Sequence, residues 1–280
     1  MSGQKIFIFG GSGFVGRNLI EKLIKGNYQV KVLAGDVLKL DSFLGELENN
    51  SIIFYLIHGL GKQTEKAGLL QIEEKAADNL IKAARIKKAK QIIHLTGIYF
   101  EGQKLSPHLL ARKLTLEKIK NSGIPYTILR TSIIFGRGSI SFEIIKAMLF
   151  KMPFIPLLRW KGIKVSPIHI DDVISSLAAT IENQSLLNKI IDIGGPEIFT
   201  YEVFLKKLSQ FLELKRTFFN FPFNLFFFSS FFAAKIISFP QREVYFLFQS
   251  SKNDCYCGPE EIEKFFGIKP KSIFDRKLFQ

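Results

Sequence analysis

Three glycines carry the first chemical statement in this chain: Gly10, Gly13 and Gly16, each separated from the next by two residues, with Gly11, Ser12, Phe14 and Val15 between them. They lie between an apolar run, Lys5–Phe9 (KIFIF), and a segment, Phe14–Lys25, whose apolar residues recur at helical spacing. Glycine is needed here for a tight strand-to-helix turn, for close approach of backbone to a pyrophosphate, and for close packing of helix on strand. A phosphate would then rest on the free N–H groups and positive dipole end of a helix opening near Gly13. A dinucleotide is the ligand this chemistry suits. The two cysteines, Cys255 and Cys257, offer less: their spacing is too tight for an easy disulfide, and no further Cys/His cluster completes a metal site.

A glycine loop works only if a sheet and its helices hold it. Short β-branched runs alternate with longer helical segments over the first 130 residues: strands are expected at Lys5–Phe9, Gln29–Leu33, Ser51–Ile57, Gln91–Leu95 and Tyr126–Arg130, and helices at Phe14–Lys25, Leu38–Leu47, Glu65–Lys88 and Pro107–Asn121. The fold class expected is α/β, a doubly wound parallel sheet (Rossmann) with a small, mostly helical C-terminal lobe. The division expected is a dinucleotide-binding domain over 1–195 and the lobe over 196–280. Past Arg130 come a helix near Ser141–Phe150, a βα pair around Ile168–Glu182, a strand at Lys189–Ile193, and then a helical, Phe-rich region ending in a polar tail.

The chain has 280 residues with 47% hydrophobic content, which excludes disorder, collagen and coiled coil. Its skew is toward phenylalanine, with 29, and toward basic residues, with a formal net charge of +14. Nine of the 39 basic residues are Arg, so the excess reads as dispersed lysine, and no specific nucleic-acid binding is expected. The Lys87, Lys88 and Lys90 group falls at a helix C-terminus, where cations complement the dipole. Much of the phenylalanine lies in one uncharged run between Arg216 and Lys235, interrupted by Asn220, Pro222, Asn224, Ser229 and Ser230. Those interruptions argue against a spanning helix and favour a buried helix of the lobe. A membrane-surface or protein contact through Phe218–Phe232 is the other reading. With no disulfide framework and no signal peptide, a cytoplasmic protein is expected, peripheral on a membrane if the Phe-rich run faces outward.

The strings GGSGFVG, LIHGLG, HLTG, ILRTSIIFGRGSISFE, SPIHIDDVI and DIGGPEIFTYEVF together resemble the extended and atypical short-chain dehydrogenase/reductases, including NmrA-like and complex I accessory-subunit-like proteins. The resemblance covers about residues 4–215 well and the remainder loosely. It implies NAD or NADP as cofactor, with Gly10, Gly11, Ser12, Gly13, Phe14, Val15 and Gly16 at the pyrophosphate. It also implies that Leu56, Ile57 and His58 run beside the adenine-ribose end, and that Thr96, Gly97, Thr131, Ser132 and Ile133 lie at the nicotinamide end. These positions fall at the carboxyl ends of expected strands, where open α/β sheets bind ligands.

Two departures bear on function. The segment after Gln29–Leu33 runs directly into Ala34-Gly35-Asp36-Val37, about twenty residues shorter than the resemblance implies. Either the Gly35-Asp36 pair, with Val37 beside it, meets the adenine ring and the sheet has lost an edge strand with its helix, or Asp36 ends the second strand and bonds a ribose hydroxyl. The second arrangement favours NAD. The superfamily's Tyr-x-x-x-Lys pair is also missing, since none of the seven Tyr has Lys four residues on. His108 stands at the tyrosine position and Arg112 at the lysine position. If the chain is an enzyme, His108 or Tyr99 would donate the proton, with Arg112 and Thr96 orienting, in an oxidoreductase or epimerase/dehydratase-like reaction on a small-molecule substrate. Otherwise it is a non-catalytic dinucleotide-binding sensor or scaffold. Asp171 is expected to cap the helix after Ile168, and His94 to be a core residue. Arg137, Arg159 and Trp160 are expected on loops bordering the cleft.

Overall fold

The computed structural model describes residues 4–57, 66–157, 162–220 and 226–279. His58, Arg159 and Trp160 fall outside them. In chain order the elements are β1 (Lys5–Phe9), α1 (Phe14–Lys25), β2 (Gln29–Leu33), α2 (Asp41–Leu44), β3 (Ile52–Tyr55), α3 (Lys66–Ile86), β4 (Gln91–Gly97), α4 (Pro107–Lys120) and β5 (Tyr126–Thr131). Then follow β6 (Ile134–Phe135), α5 (Ile140–Lys151), β7 (Phe154–Leu157), β8 (Lys164–Val165), β9 (Ile168–His169), α6 (Ile170–Ala179), β10 (Lys189–Ile193), β11 (Phe199–Thr200), α7 (Tyr201–Phe211), β12 (Thr217–Asn220), α8 (Phe226–Ile237), α9 (Gln241–Ser250) and α10 (Glu260–Phe266).

Six parallel strands form the main sheet in the order β10-β5-β4-β3-β1-β2. β3 and the central part of β4 are buried on both faces, as strands covered on both sides by helices must be. One face packs Leu19 and Leu23 of α1 with Val173 and Leu177 of α6; the other packs Leu80 and Ala84 of α3 with Leu116 and Ile119 of α4. The doubly wound α/β expectation holds. β2 is the edge strand and is mostly exposed, so the short connection after it leaves the sheet ending there.

Three local expectations are corrected. The helix expected over Leu38–Leu47 is the single turn α2, which begins without a side-chain cap and stops at Gly45. The Phe-rich run is not one helix: Thr217–Asn220 forms a strand paired parallel to β7, and α8 begins at Phe226. At 12 residues, α8 would reach only about 18 Å against a hydrocarbon core of roughly 30 Å. Among the described residues no helix is long and apolar enough to cross a membrane. The cap of α6 is His169, whose Nδ1 accepts from the Asp171 N–H at 3.2 Å, and Asp171 instead pairs with Lys271 at 2.7 Å. A third core cluster joins Phe135, Phe142 and Met148 to Phe204, Leu208 and Phe248, so it draws on chain from both sides of residue 195.

Candidate functional site

The carboxyl ends of β1, β3, β4 and β5 open onto a cleft of about 420 Å³. Its floor begins at the glycine loop. Gly10 has φ +86°, and a Cβ there would come within 2.8 Å of the Leu56 backbone. A Cβ on Gly16 would lie 2.2 Å from the Gly10 carbonyl oxygen, which is why α1 can approach the loop so closely. Gly13 is different: the nearest atom to a Cβ is Gly10 O at 3.2 Å, and the position faces the cleft. α1 opens at Gly13 with no side-chain cap and no acidic residue in its first turn. Its first N–H groups are therefore available to an anion. Gly10, Gly13, Phe14, Val15 and Gly16 all line the cleft. Gly11 faces away, packed on Val32, and Ser12 is held through its carbonyl by Arg17 Nη1 at 2.6 Å.

At the other end, Thr96 and Gly97 of β4 adjoin Thr131 of β5, with Gly97 and Thr131 in register. Thr96 and Thr131 are buried and line the cleft, yet neither hydroxyl has a hydrogen-bond partner among the described residues. The two side chains give this end of the cleft wall a polar character that a polar ligand group suits. With an uncapped helix N-terminus at one end and these hydroxyls at the other, the residues present fit a nicotinamide dinucleotide. Ile133 also lines the wall. Ser132 lines it too, but its hydroxyl is committed, donating to Cys255 O at 2.5 Å and accepting from the Ser166 N–H at 3.1 Å.

Leu56 lines the cleft, whereas Ile57 packs in the core beside Phe43 and Tyr55. Asp36 turns onto its own loop, where its carboxylate accepts from the Leu38 N–H at 3.2 Å, and the Val37 carbonyl accepts from Asn79 at 2.9 Å. Neither lines the cleft.

His108 and Arg112 do meet in the cleft, one helical turn apart on α4. Ser106 starts that helix, its hydroxyl accepting from the Leu109 N–H, with Pro107 in the first turn. Arg112 is buried; its Nη1 donates to Leu95 O at 3.2 Å and its Nε to His108 Nε2 at 3.2 Å. Because Nε2 accepts, the imidazole is neutral, and burial pulls its pKa down to about 4. Burial likewise lowers Arg112 to about 10, still fully charged at neutral pH. Tyr99 does not join them. Its ring packs in the core beneath Arg130, 5.1 Å from the centroid, and Lys113, 5.3 Å away. Arg130 is fixed by a two-pronged pair with Asp192 at 2.6 and 2.8 Å. His94 is buried as expected, with Nδ1 on Tyr55 O at 2.9 Å, while Nε2 has no partner among the described residues. Arg137 donates to Lys277 O at 2.6 Å, which ties down the C-terminal segment.

The sequence reading missed the far wall. Residues 251–257, read as part of a polar tail, cross the ends of β4 and β5. Asn253 accepts from the Ser106 N–H at 3.2 Å and donates to Lys104 O at 3.1 Å; Asp254 accepts from Gln103 at 3.1 Å and from the Lys164 N–H at 2.7 Å. Asn253 and Cys255 thereby line the cleft, beside Leu247 and Tyr201. Burial pushes the Cys255 thiol up to about 11 and the Cys257 thiol up to about 12. No motif marks these positions, because the contacts that place Asn253 span nearly 150 residues of chain. Ser139, Ile140 and Ser141 were legible within the GRGSISFE string but not assigned to the cleft they line.

A parallel sheet with this glycine loop after its first strand, and a cleft at the strand ends, defines a Rossmann fold. No protein-family model matches the chain. Over 222 residues it is 26% identical to the mitochondrial NADH dehydrogenase (ubiquinone) 1 alpha subcomplex subunit 9 of Dictyostelium discoideum, a match taking in 71% of this chain and 61% of that protein. The chain thus spans about three fifths of that relative's length. In fold it is similar to a nucleoside-diphosphate-sugar epimerase from Staphylococcus aureus, with a TM-score of 0.75, 13% identity, and coverage of 97% of this chain and 98% of that one. It is similar also to a short-chain dehydrogenase/reductase superfamily protein of Agrobacterium tumefaciens with bound NAD, with a TM-score of 0.69, 12% identity, and coverage of 99% and 95%. In relatives and in fold together, the chain matches an atypical short-chain dehydrogenase/reductase.

Proposed function

We propose that the chain binds a nicotinamide dinucleotide, with the pyrophosphate on the N-terminus of α1 and the nicotinamide end toward Thr96 and Thr131. The observation that carries this reading is the uncapped start of α1, set against a glycine loop at the head of the cleft. NAD is favoured over NADP, because the segment after β2 carries no arginine to meet a 2′-phosphate.

Titration with NADH and NADPH by calorimetry tests both statements. Binding of NADH about tenfold tighter than NADPH is expected, and no binding of either would refute the reading.

The His108–Arg112 pair supports a second reading, in which the dinucleotide is held and not turned over. A general acid works best with a pKa near the working pH. His108, neutral down to about pH 4 and with Nε2 engaged by Arg112, has no imidazolium proton to give. It retains only a neutral N–H, a weak electrophile. A scaffold or sensing role also accords with the relative's being named as a subunit of a larger assembly. Single-turnover mixing with bound NADH and a panel of carbonyl and sugar-nucleotide substrates decides between the readings: oxidation of NADH that His108→Ala abolishes would restore an enzyme.

A further inference from the structure

Every strongly exposed phenylalanine among the described residues lies in one part of the molecule: Phe150, Phe154, Phe219, Phe231 and Phe232, from 40% to 62% exposed. Phe231, Phe232 and Ile236 stand on the outer side of α8, whose inner side buries Ala233, Ala234 and Ile237. Phe154 and Phe219 project from the same face of the β7–β12 ribbon, since the register pairs Thr217 with Phe154 and Phe219 with Pro156, while Ile155 turns into the core. The end of α5 joins helix and ribbon. Lys151 Nζ donates to Ile237 O of α8 at 3.0 Å, and Arg216 Nη2, just before β12, donates to Phe150 O at 3.2 Å. Scattered exposed apolar side chains are ordinary, but a clustered aromatic set marks an interaction surface.

Charge identifies the partner. From residue 144 to 170 the chain carries Lys146, Lys151, Arg159, Lys161 and Lys164 and no acidic residue; from 214 to 242 it carries Lys215, Arg216, Lys235 and Arg242, again with none. These two segments hold the exposed phenylalanines and supply nine of the +14 net charges from 56 of the 280 residues. Basic residues are about as frequent here, 9 in 56, as along the whole chain, 39 in 280; what sets the two segments apart is that they carry no acidic residue. Segments that carry exposed aromatic side chains and cations but no carboxylate match the interface of an anionic bilayer: rings enter the headgroup–acyl boundary while Lys and Arg meet phosphates. A protein partner of ordinary composition would not require the exclusion of acids.

We propose that this face, formed by the end of α5, the β7–β12 ribbon and α8, docks the protein on the surface of an anionic membrane, independently of whether the cleft binds a dinucleotide. The test is co-flotation of the full chain with vesicles of phosphatidylcholine containing 25% phosphatidylglycerol, beside vesicles of phosphatidylcholine alone. Binding to the anionic vesicles is expected, falling at least tenfold on neutral vesicles and in 0.5 M salt, as the screening of surface charge dictates. F231S/F232S and F150S/F154S, at exposed positions, should each lower the partition coefficient about tenfold or more while leaving the melting temperature and NADH binding unchanged. Three outcomes overturn the proposal: no flotation on anionic vesicles, equal binding to neutral ones, or a wild-type dimer in sedimentation that F231S/F232S dissociates. Loss of NADH binding alone would count against the cleft and leave this face standing.

Discussion

Gly13 and Gly16 share a motif but face different neighbours, and alanine at each should fail differently. A Cβ on Gly16 would lie 2.2 Å from Gly10 O, against the 3.4 Å at which ordinary contact begins, so α1 or the loop must shift by more than 1 Å. α1 is pinned by Val15, Leu19 and Leu23 in the core, so the shift cannot be taken up freely. Overpacking of this kind costs about 1–3 kcal/mol, which lowers the melting temperature of a domain this size by roughly 2–10 °C. Gly13→Ala meets no such obstacle. Its backbone, at φ −73° and ψ 171°, is extended and open to alanine, and its nearest neighbour is at 3.2 Å. Stability should fall by less than about 1 kcal/mol, the usual loss for alanine at an N-cap. The added methyl instead stands where a pyrophosphate would meet the first N–H groups of α1. Loss of one charge-assisted hydrogen bond, about 1.5–3 kcal/mol, weakens binding by roughly 10- to 150-fold. Thermal melts and NADH calorimetry on the two variants read both effects. If Gly13→Ala melts like the wild type and also binds NADH as tightly, the pyrophosphate is not where the loop geometry puts it.

Further expectations concern the buried polar groups. Burial lowers the pKa of His94 to about 4 from 6.5, so the unfolded chain takes up a proton that the folded chain declines as pH drops from 6.5 toward 4. About 3 kcal/mol of stability should be lost over that window through His94, and a similar amount through His108, which burial also lowers to about 4; urea titrations at pH 7 and 4.5 should show it, and His94→Asn should roughly halve the dependence. Equal slopes for the two proteins would contradict the assignment. Cys255 and Cys257, raised to about 11 and 12, should react with a disulfide reagent at pH 8 at least a hundredfold more slowly, roughly, than after unfolding. Rapid labelling of the folded protein would mean that the 251–257 segment lifts away. Asn253→Ala leaves the Ser106 N–H and Lys104 carbonyl without their partner, a loss of about 1–3 kcal/mol. Hydrogen exchange should then rise at the start of α4, and an unchanged rate there would remove Asn253 from the support of the cleft.

What could be read from the sequence divides along physical lines. β1, α1, β2 and β10 fall where local pattern puts them, since strand alternation, helical periodicity and glycine punctuation all act within a few residues. The loop at Gly10 and Gly16 was legible because its steric demand is local. Asp36 was placed near the ligand from its position in the chain, but its carboxylate finds a backbone N–H two residues on, a short-range competition that spacing does not reveal. Tyr99 looked free to donate a proton because its cover, Arg130 and Lys113, comes from other elements. The Phe-rich run was opaque for a related reason: whether TFFN is strand or helix depends on β7, more than sixty residues earlier, offering it an edge.

The 251–257 segment carries a consequence for synthesis. The bonds from Asn253 to Ser106 and Lys104 span 147 and 149 residues. At about 5–20 residues per second, a ribosome that has just completed the start of α4 needs roughly 7–30 s more to deliver the residues that brace it. During that interval the glycine loop, β1–β5 and the His108–Arg112 pair can exist while one wall of the cleft has not yet been made. A nascent chain can therefore present its pyrophosphate-binding end to a ligand before its other end is closed. A ribosome stalled between residues 200 and 250 would display an open half-site that the finished protein never shows.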